Sequence, residues 1–182
     1  MKQVIKGIIL LCMILYPFLV GWGLSQGHFL WVSVLLITLG VVRLFSQGNA
    51  LLLPLTWFAI LCGTLSVLLK DHAWLKMYPV FMSVGAGIIF ASTLFRPPSM
   101  IERFARLVEP DLPESGILWT RKVTMVWCGF FVVNAAIALY TVVFAPMKIW
   151  VIYNGFISYV LMGILFLGEF VLRKRHQRLN QS

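Results

Sequence analysis

Charged residues are so unevenly spaced along this chain that the gaps between them divide it into helical spans. From residue 7 to residue 42, between Lys6 and Arg43, 36 consecutive residues carry no charge. At about 1.5 Å rise per residue, one helix of that length would far exceed a hydrocarbon core of about 30 Å, so the run must fold back. Gly21, Gly23, Ser25, Gln26 and Gly27 lie at its middle and supply the turn. The other uncharged gaps are 26 residues (Leu44 to Leu69), 19 (Met77 to Phe95), 25 (Val123 to Met147) and 20 (Ile149 to Gly168), each the length of one span. The pattern predicts helices near 6–22, 28–45, 51–69, 74–95, 121–144 and 148–172. The expected fold is all-α: a six-transmembrane-helix bundle, one polytopic domain over residues 1–182, with a loop at 96–120.

Composition closes the soluble alternative. Only 12% of residues are charged and the mean hydropathy is +0.92, whereas about 25% of the residues of soluble domains are charged. Pro54 and Pro146 fall at helix starts, where a missing N–H costs little, and Pro17 and Pro79 fall inside spans and predict kinks.

Six spans sort the basic residues onto two sides. Lys2, Lys6, Arg43, Arg96, Arg103, Arg106, Arg121, Lys122, Arg173, Lys174, Arg175 and Arg178 share one side, and Lys70, Lys76 and Lys148 share the other. The positive-inside rule makes the first side cytoplasmic, with both termini there, in a bacterial inner membrane. The net charge of +9 then reflects topology and anionic headgroups, and no nucleic-acid partner is implied. Trp22, Trp31, Trp74 and Trp150 cluster near the opposite interface, as belt residues do. Lys2 and Lys6 before an apolar run resemble a signal peptide, but no A-x-A site follows, so the first helix reads as a retained anchor.

The loop from Arg96 to Lys122 holds nine of the 21 charged residues. Pro97 and Pro98 end the fourth span, and Ser99 with Glu102 forms an S-x-x-E capping box opening a short helix. Met100, Ile101, Phe104, Leu107 and Val108 share its apolar face, and Glu102, Arg103 and Arg106 its polar one, which predicts an amphipathic helix on the cytoplasmic surface. Arg96, Ile101, Arg103, Phe104 and Arg106 are the candidate contacts to a partner or lipid. The bland alternative is a solvated connector.

Polar groups inside spans are the other candidates. Asn134 and Asn154 lie on consecutive antiparallel helices and can bond across the hairpin, so Asn134→Leu is expected to cost about 1 kcal/mol or less. Ser83, Ser92, Thr93, Thr124 and Ser158 are the remaining intramembrane polar residues singled out. No Asp, Glu, Lys or Arg lies near the centre of a span, which leaves ion-coupled transport without its usual residue. Glu169 sits near the cytoplasmic end, where it can pair with Arg173 at i, i+4. Ser83, Gly87 and Ala91 form a small-xxx-small stripe suited to close helix packing within the bundle or, as the alternative, to dimerisation. Cys12, Cys62 and Cys128 read as buried hydrophobes. His28 and His72, with Asp71, lack the further ligands a metal needs, and no nucleophile has an evident base. No cofactor is implied.

The segment Trp127-Cys128-Gly129-Phe130-Phe131, then Asn134, Tyr140 and Pro146-Met147-Lys148-Ile149-Trp150-Val151, resembles the C-terminal half of the YciB family, also called intracellular septation protein A. In that family a W-x-x-F-F run leads to a Tyr and a P-x-x-I-W-V turn into the last helix. The N-terminal half resembles it in hydropathy. The loop from Pro97 to Arg106, with Glu109-Pro110-Asp111-Leu112-Pro113, departs from that pattern and looks more like a sister group of inner-membrane proteins encoded in aryl polyene and ketosynthase gene clusters. The resemblance implies a non-enzymatic inner-membrane protein of envelope or polyene-lipid synthesis, with a protein of that synthesis as partner and no catalytic residue to carry over. The leading expectation is an accessory or scaffold protein. A transporter or flippase component for a lipophilic product is the alternative, with a membrane enzyme third.

Overall fold

The computed structural model describes residues 18–23, 26, 29–45, 53–71 and 73–179. Cys12, Pro17, His28, His72 and most of the expected first span lie outside the described residues. Those described are all-α, with no strand among them. In chain order they form α1 (18–23), α2 (Phe29–Phe45), α3 (Leu53–Leu69), α4 (Ala73–Lys76), α5 (Tyr78–Phe95), α6 (Met100–Arg106), α7 (Glu114–Phe144), α8 (Met147–Ile152), a π-helical turn (Tyr153–Ile157) and α9 (Ser158–Leu179).

Three stretches are long and apolar enough to cross a membrane: Ala73–Phe95, Glu114–Phe144 and Met147–Arg173, of 23, 31 and 27 residues. Leu30–Leu44 and Thr56–Leu69 are shorter apolar helices. Large apolar side chains such as Val132, Phe144, Ile164 and Leu167 stand exposed along α7 and α9. Such surface would drive aggregation in water, but it is what a bilayer solvates. The architecture is that of a helical membrane protein.

Local chemistry sets where the helices stop. Lys70 adopts φ 51° just after α3, the left-handed conformation that ends helices. Asp71 Oδ1 then accepts the Ala73 N–H at 2.8 Å, so the carboxylate beside His72 is spent opening α4. Pro79 lies in the first turn of α5, and the helix breaks at Met77 between α4 and α5, because Pro79 has no N–H to give back to α4. Pro54 falls in the first turn of α3 and Pro146 is the N-cap of α8. At the other loop α7 begins at Glu114, ahead of the expected 121. Pro113 is its N-cap, and Glu114 puts a carboxylate in the first turn, where the helix dipole favours it.

Glycines let the helices close on one another. A Cβ at Gly63 would lie 2.7 Å from Ile37 Cγ1, and one at Gly40 2.5 Å from Ile60 Cγ1, which fixes α2 and α3 as an antiparallel pair. α5 runs antiparallel along α7, touching at Gly87, whose added Cβ would meet Phe131 Cβ at 3.3 Å. Of the small-residue stripe, Gly87 makes the close approach to α7. α1 lies against α8 and the π turn through Gly21 on Val151 and Phe18 on Gly155.

Two apolar clusters sit at opposite ends of α7. At the α6 end, Val123, Trp127 and Phe131 gather Phe90, Ile101, Trp119, Met162 and Leu165. At the far end, Trp150 joins Val20, Val32, Leu36, Ala59, Cys62, Leu75 and Tyr78. Trp150 was expected in an interfacial belt. It is instead wholly buried, its indole N–H bonded to Lys76 O at 3.2 Å, whereas Trp22 and Trp31 stand exposed.

Candidate functional site

Between the two apolar clusters lies a polar layer centred on Asn134. Its Nδ2 donates to Ser83 Oγ at 2.8 Å, and its Oδ1 accepts from Tyr153 Oη and Ser158 Oγ, both at 3.0 Å. All four residues are buried. Tyr153 and Ser158 are five residues apart, a spacing that places side chains roughly 140° apart on a regular α-helix. The π turn removes that mismatch: Ser158 N–H bonds to Tyr153 O, an i to i+5 step that brings both hydroxyls to one face. A Cβ at Gly155, within this turn, would press on Phe18 at 2.8 Å, so the widened turn and the close approach of α1 occur together.

Asn134 and Asn154 do not bond to each other, contrary to the expectation. Asn154 Nδ2 donates to Thr141 Oγ1 at 3.1 Å and to Trp150 O at 3.0 Å. The π turn puts Tyr153 opposite Asn134, and Asn154 crosses the hairpin to Thr141 of α7 instead while also bonding a carbonyl of its own segment. Thr141 and Tyr153 carry no signal of this role in the sequence, because no spacing rule marks a π turn.

Chemically the layer is a set of neutral hydrogen-bond donors and acceptors. It contains no carboxylate, thiol or imidazole to act as base or nucleophile. Among the described residues, no three His, Cys, Asp or Glu side chains gather as metal ligands would.

The second candidate is the α6 end. Met100 N donates to Thr93 Oγ1 at 2.9 Å and Ile101 N to Thr124 Oγ1 at 3.2 Å, so α5 and α7 satisfy the first amides of α6. Ser99 N donates to Glu102 Oε2 at 3.3 Å, one half of the capping box. Glu102 Oε1 accepts from Arg106 Nε at 2.9 Å and from its NH2 at 2.8 Å. Arg106 also donates to Pro110 O, and Arg103 to Pro98 O and Arg96 O.

This geometry revises the expected helix face. Met100, Glu102 and Ala105 are buried, and Ile101 is half-buried against the Trp127 cluster. Leu107 and Val108 lie beyond the end of α6 at 82% and 84% exposure, and Phe104 is 54% exposed. Glu102 turned inward because its two oxygens serve Ser99 and Arg106. The two arginines are accordingly tied to the loop itself, while Arg96 is exposed. Arg173 reaches Glu109 at 3.9 Å, which ties α9 to the loop, and its charge also acts on Glu169 one turn before it, as the i, i+4 spacing leads one to expect.

Glu102→Gln is expected to loosen α6 by about 1–2 kcal/mol. That is below the 3–5 kcal/mol of a fully buried pair because the Arg106 side chain is 37% exposed. Hydrogen exchange of amides 99–108 should quicken roughly tenfold, with the α5 and α7 amides unchanged. Unaltered exchange at 99–108 would remove Glu102 from this role.

The family model described as intracellular septation protein A matches residues 1–180. The chain belongs to that family. No curated protein and no solved structure gives a match. As a septation protein A family member the chain is an inner-membrane protein, and the family is not known for enzymatic activity. The residues that carried the resemblance now have structural roles: Trp127, Phe130 and Phe131 pack together at the α6 end, Pro146 opens α8, and Trp150 fills the far cluster. The septation protein A motif in this chain is thus mostly core, and Asn134 is the one intramembrane polar residue within it.

Proposed function

We propose that the chain is a non-enzymatic accessory or scaffold protein of envelope biogenesis, working in septation or in the synthesis of a polyene-type lipid. It spans the membrane six times with both termini cytoplasmic, and residues 96–113 form its cytoplasmic contact platform. One observation carries this reading over transport. Asn134 spends its amide on Ser83, Tyr153 and Ser158, and neither it nor Asn154 lines the cavity between α5 and α7. A substrate path needs polar groups open to a passing solute, and here they hold helices together. The platform is the complementary half of the argument. Glu102 is paired with Arg106 and Arg103 is spent on backbone carbonyls, whereas Phe104, Leu107 and Val108 stand exposed, as does Arg96, which leaves this loop an apolar surface and a free-standing cation. The aryl-polyene association rests on the loop pattern from Pro97 to Arg106.

The platform is tested by Phe104→Asp with Leu107→Asp, expected to abolish complementation of a deletion strain while leaving membrane abundance unchanged. Full complementation by that variant would end the scaffold reading of this surface. Arg103→Ala with Arg106→Ala is a poorer probe, because it leaves Glu102 buried without its partner. Topology is tested with single cysteines at Asp111 and Asn180. Both are expected to be shielded from impermeant thiol reagents in intact spheroplasts and labelled after lysis, and labelling of either before lysis would reverse the orientation.

A further inference from the structure

Arg43 closes an apolar run and reads in the sequence as a residue of the cytoplasmic interface, but the bundle holds it deeper. By helical phase it continues the stripe of α2 that the bundle buries, Val32, Ser33, Leu36 and Gly40, and its own side chain is half-buried. The phenol of Tyr78, buried at the start of α5, feels the Arg43 charge together with Tyr159 of α9 and Cys62 of α3. Groups from four helices thus share one neighbourhood around a cation.

Contacts between helices give the depth. Gly40 packs on Ile60 and Gly63 on Ile37 across the α2–α3 pair, which sets Arg43 at about the level of Thr56. Thr56 lies two residues before Phe58, whose ring stacks on Phe81 of α5 at 5.4 Å, and two residues back on α3 is two residues on along antiparallel α5. The level reached is that of Ser83 and the Asn134 layer. Ser83 is about 15 Å along the helix from Ala73 and about 18 Å from Phe95, the ends of its span, so the layer lies near the middle of the hydrocarbon.

An arginine at that depth is costly and is kept where it meets a counter-charge. The six carboxylates of the chain lie at other levels. Asp71 follows α3, Glu102, Glu109, Asp111 and Glu114 belong to the α6 loop and the start of α7, and Glu169 is about 16 Å along α9 from Ser158 of the Asn134 layer. A second copy in the same orientation carries its carboxylates at the same levels and does not supply the charge. Lipid phosphates sit about 15 Å from the midplane, at the edge of the hydrocarbon. A negative charge reaches Arg43 when it is carried on a lipophilic tail. Val41 and Val42 of α2 and Leu53 and Trp57 of α3, near this level, are exposed to the bilayer, so such a tail has apolar surface to lie on.

We propose that Arg43 binds a lipophilic carboxylic acid as its carboxylate, at mid-depth in the bundle beside Tyr78 and Tyr159, with the acid's chain along the lipid-facing surface of α2 and α3. A guanidinium matches a carboxylate in both charge and planar geometry, whereas a phosphate monoester brings up to two negative charges to one cation. The site is independent of the α6 platform and of whatever partner that platform meets.

The test uses the full chain in phosphatidylcholine nanodiscs, which carry no net charge, with a diazirine-bearing undecanoic acid and its methyl ester as photoprobes at mildly alkaline pH. The acid is expected to label residues 36–43, 53–62 and 78–82 at an about tenfold lower concentration than the ester, the low end for a hydrogen bond to a charged group. Arg43→Gln should make the two probes equal, and Arg43→Lys, which keeps the charge but loses the planar fork, should retain part of the difference. Equal labelling by the two probes in the unaltered protein would overturn the proposal, as would acid labelling centred on Arg96 and Arg173 at the α6 end. Depth has its own measurement. With Cys12→Ala, Cys62→Ala and Cys128→Ala as background, Arg43→Cys is expected to react with a water-soluble maleimide at least about tenfold more slowly than Arg96→Cys, because the thiolate that reacts forms poorly in hydrocarbon. Equal rates would return residue 43 to the interface and end the proposal. Should Arg43→Gln fail to insert, the acid-to-ester comparison and the maleimide rates still decide.

Discussion

Trp150→Ala is expected to destabilise the folded chain by about 3 kcal/mol, the largest single-residue effect in the molecule. In a soluble core, truncating a buried Trp costs about 3–5 kcal/mol, part of it the transfer of apolar surface to water. Within a bilayer that part shrinks, since the separated helices remain in hydrocarbon and the loss is mainly of packing contacts. Two things keep the cost high here. Trp150 is fully buried where α1, α2, α3, α4, α5 and α8 converge, so no lipid chain can fill the space it leaves. Its indole N–H is also bonded to Lys76 O beside the break before Pro79, and that carbonyl would be orphaned. Trp150→Phe keeps most of the volume and loses the bond, and about 1 kcal/mol is expected. Reversible unfolding in mixed micelles with increasing sodium dodecyl sulfate, followed by circular dichroism, measures both. A Trp150→Ala cost under about 1 kcal/mol would mean that the junction is not packed as described.

The sequence exposed the helical class and the places where the chain is cut, because both follow from gross properties. Burying charge in hydrocarbon is costly enough that the gaps between Lys and Arg delimit spans, and Pro79 cannot sit in a helix without a break near Met77. Ser99 and Glu102 announced α6 by local chemistry alone, since a capping interaction involves only neighbours in the chain. Partners across helices were not legible. Glu102 could be assigned to the solvated face by helical phase, but its burial depends on Arg106 and on the threonines of α5 and α7 that hold α6 down. Trp150 suited a belt by position and proved to be core, because depth along the chain does not reveal which way an indole points. The π turn was the least legible feature. It inserts one residue's worth of rotation near Gly155, enough to bring Tyr153 to Asn134, and a phase argument based on 3.6 residues per turn puts Tyr153 elsewhere.

Asn134→Leu is expected to cost about 2 kcal/mol, roughly three times what a single interhelical contact would suggest. Such bonds average about 0.6 kcal/mol in bilayers, and Asn134 makes three of them, to α5 and to both ends of the π turn. The cost stays below the sum of three strong bonds because Ser83 and Ser158 can turn their hydroxyls back to carbonyls on their own helices. The Tyr153 phenol reaches too far from its backbone for that and bonds to no other group among the described residues, so it carries the largest share. A double-mutant cycle with Tyr153→Phe isolates that share, with an expected coupling of about 1 kcal/mol. Coupling near zero would show that the phenol and the amide do not meet, and with them the assignment of the π turn would fail. The same variant separates structure from transport. If the polar layer only joins helices, Asn134→Leu at normal abundance should complement a deletion strain, because a bundle of hydrophobic helices tolerates a loss of this size. If complementation fails while abundance and unfolding are as expected, Asn134 acts on something other than its three neighbours, and the layer becomes part of a path through the membrane.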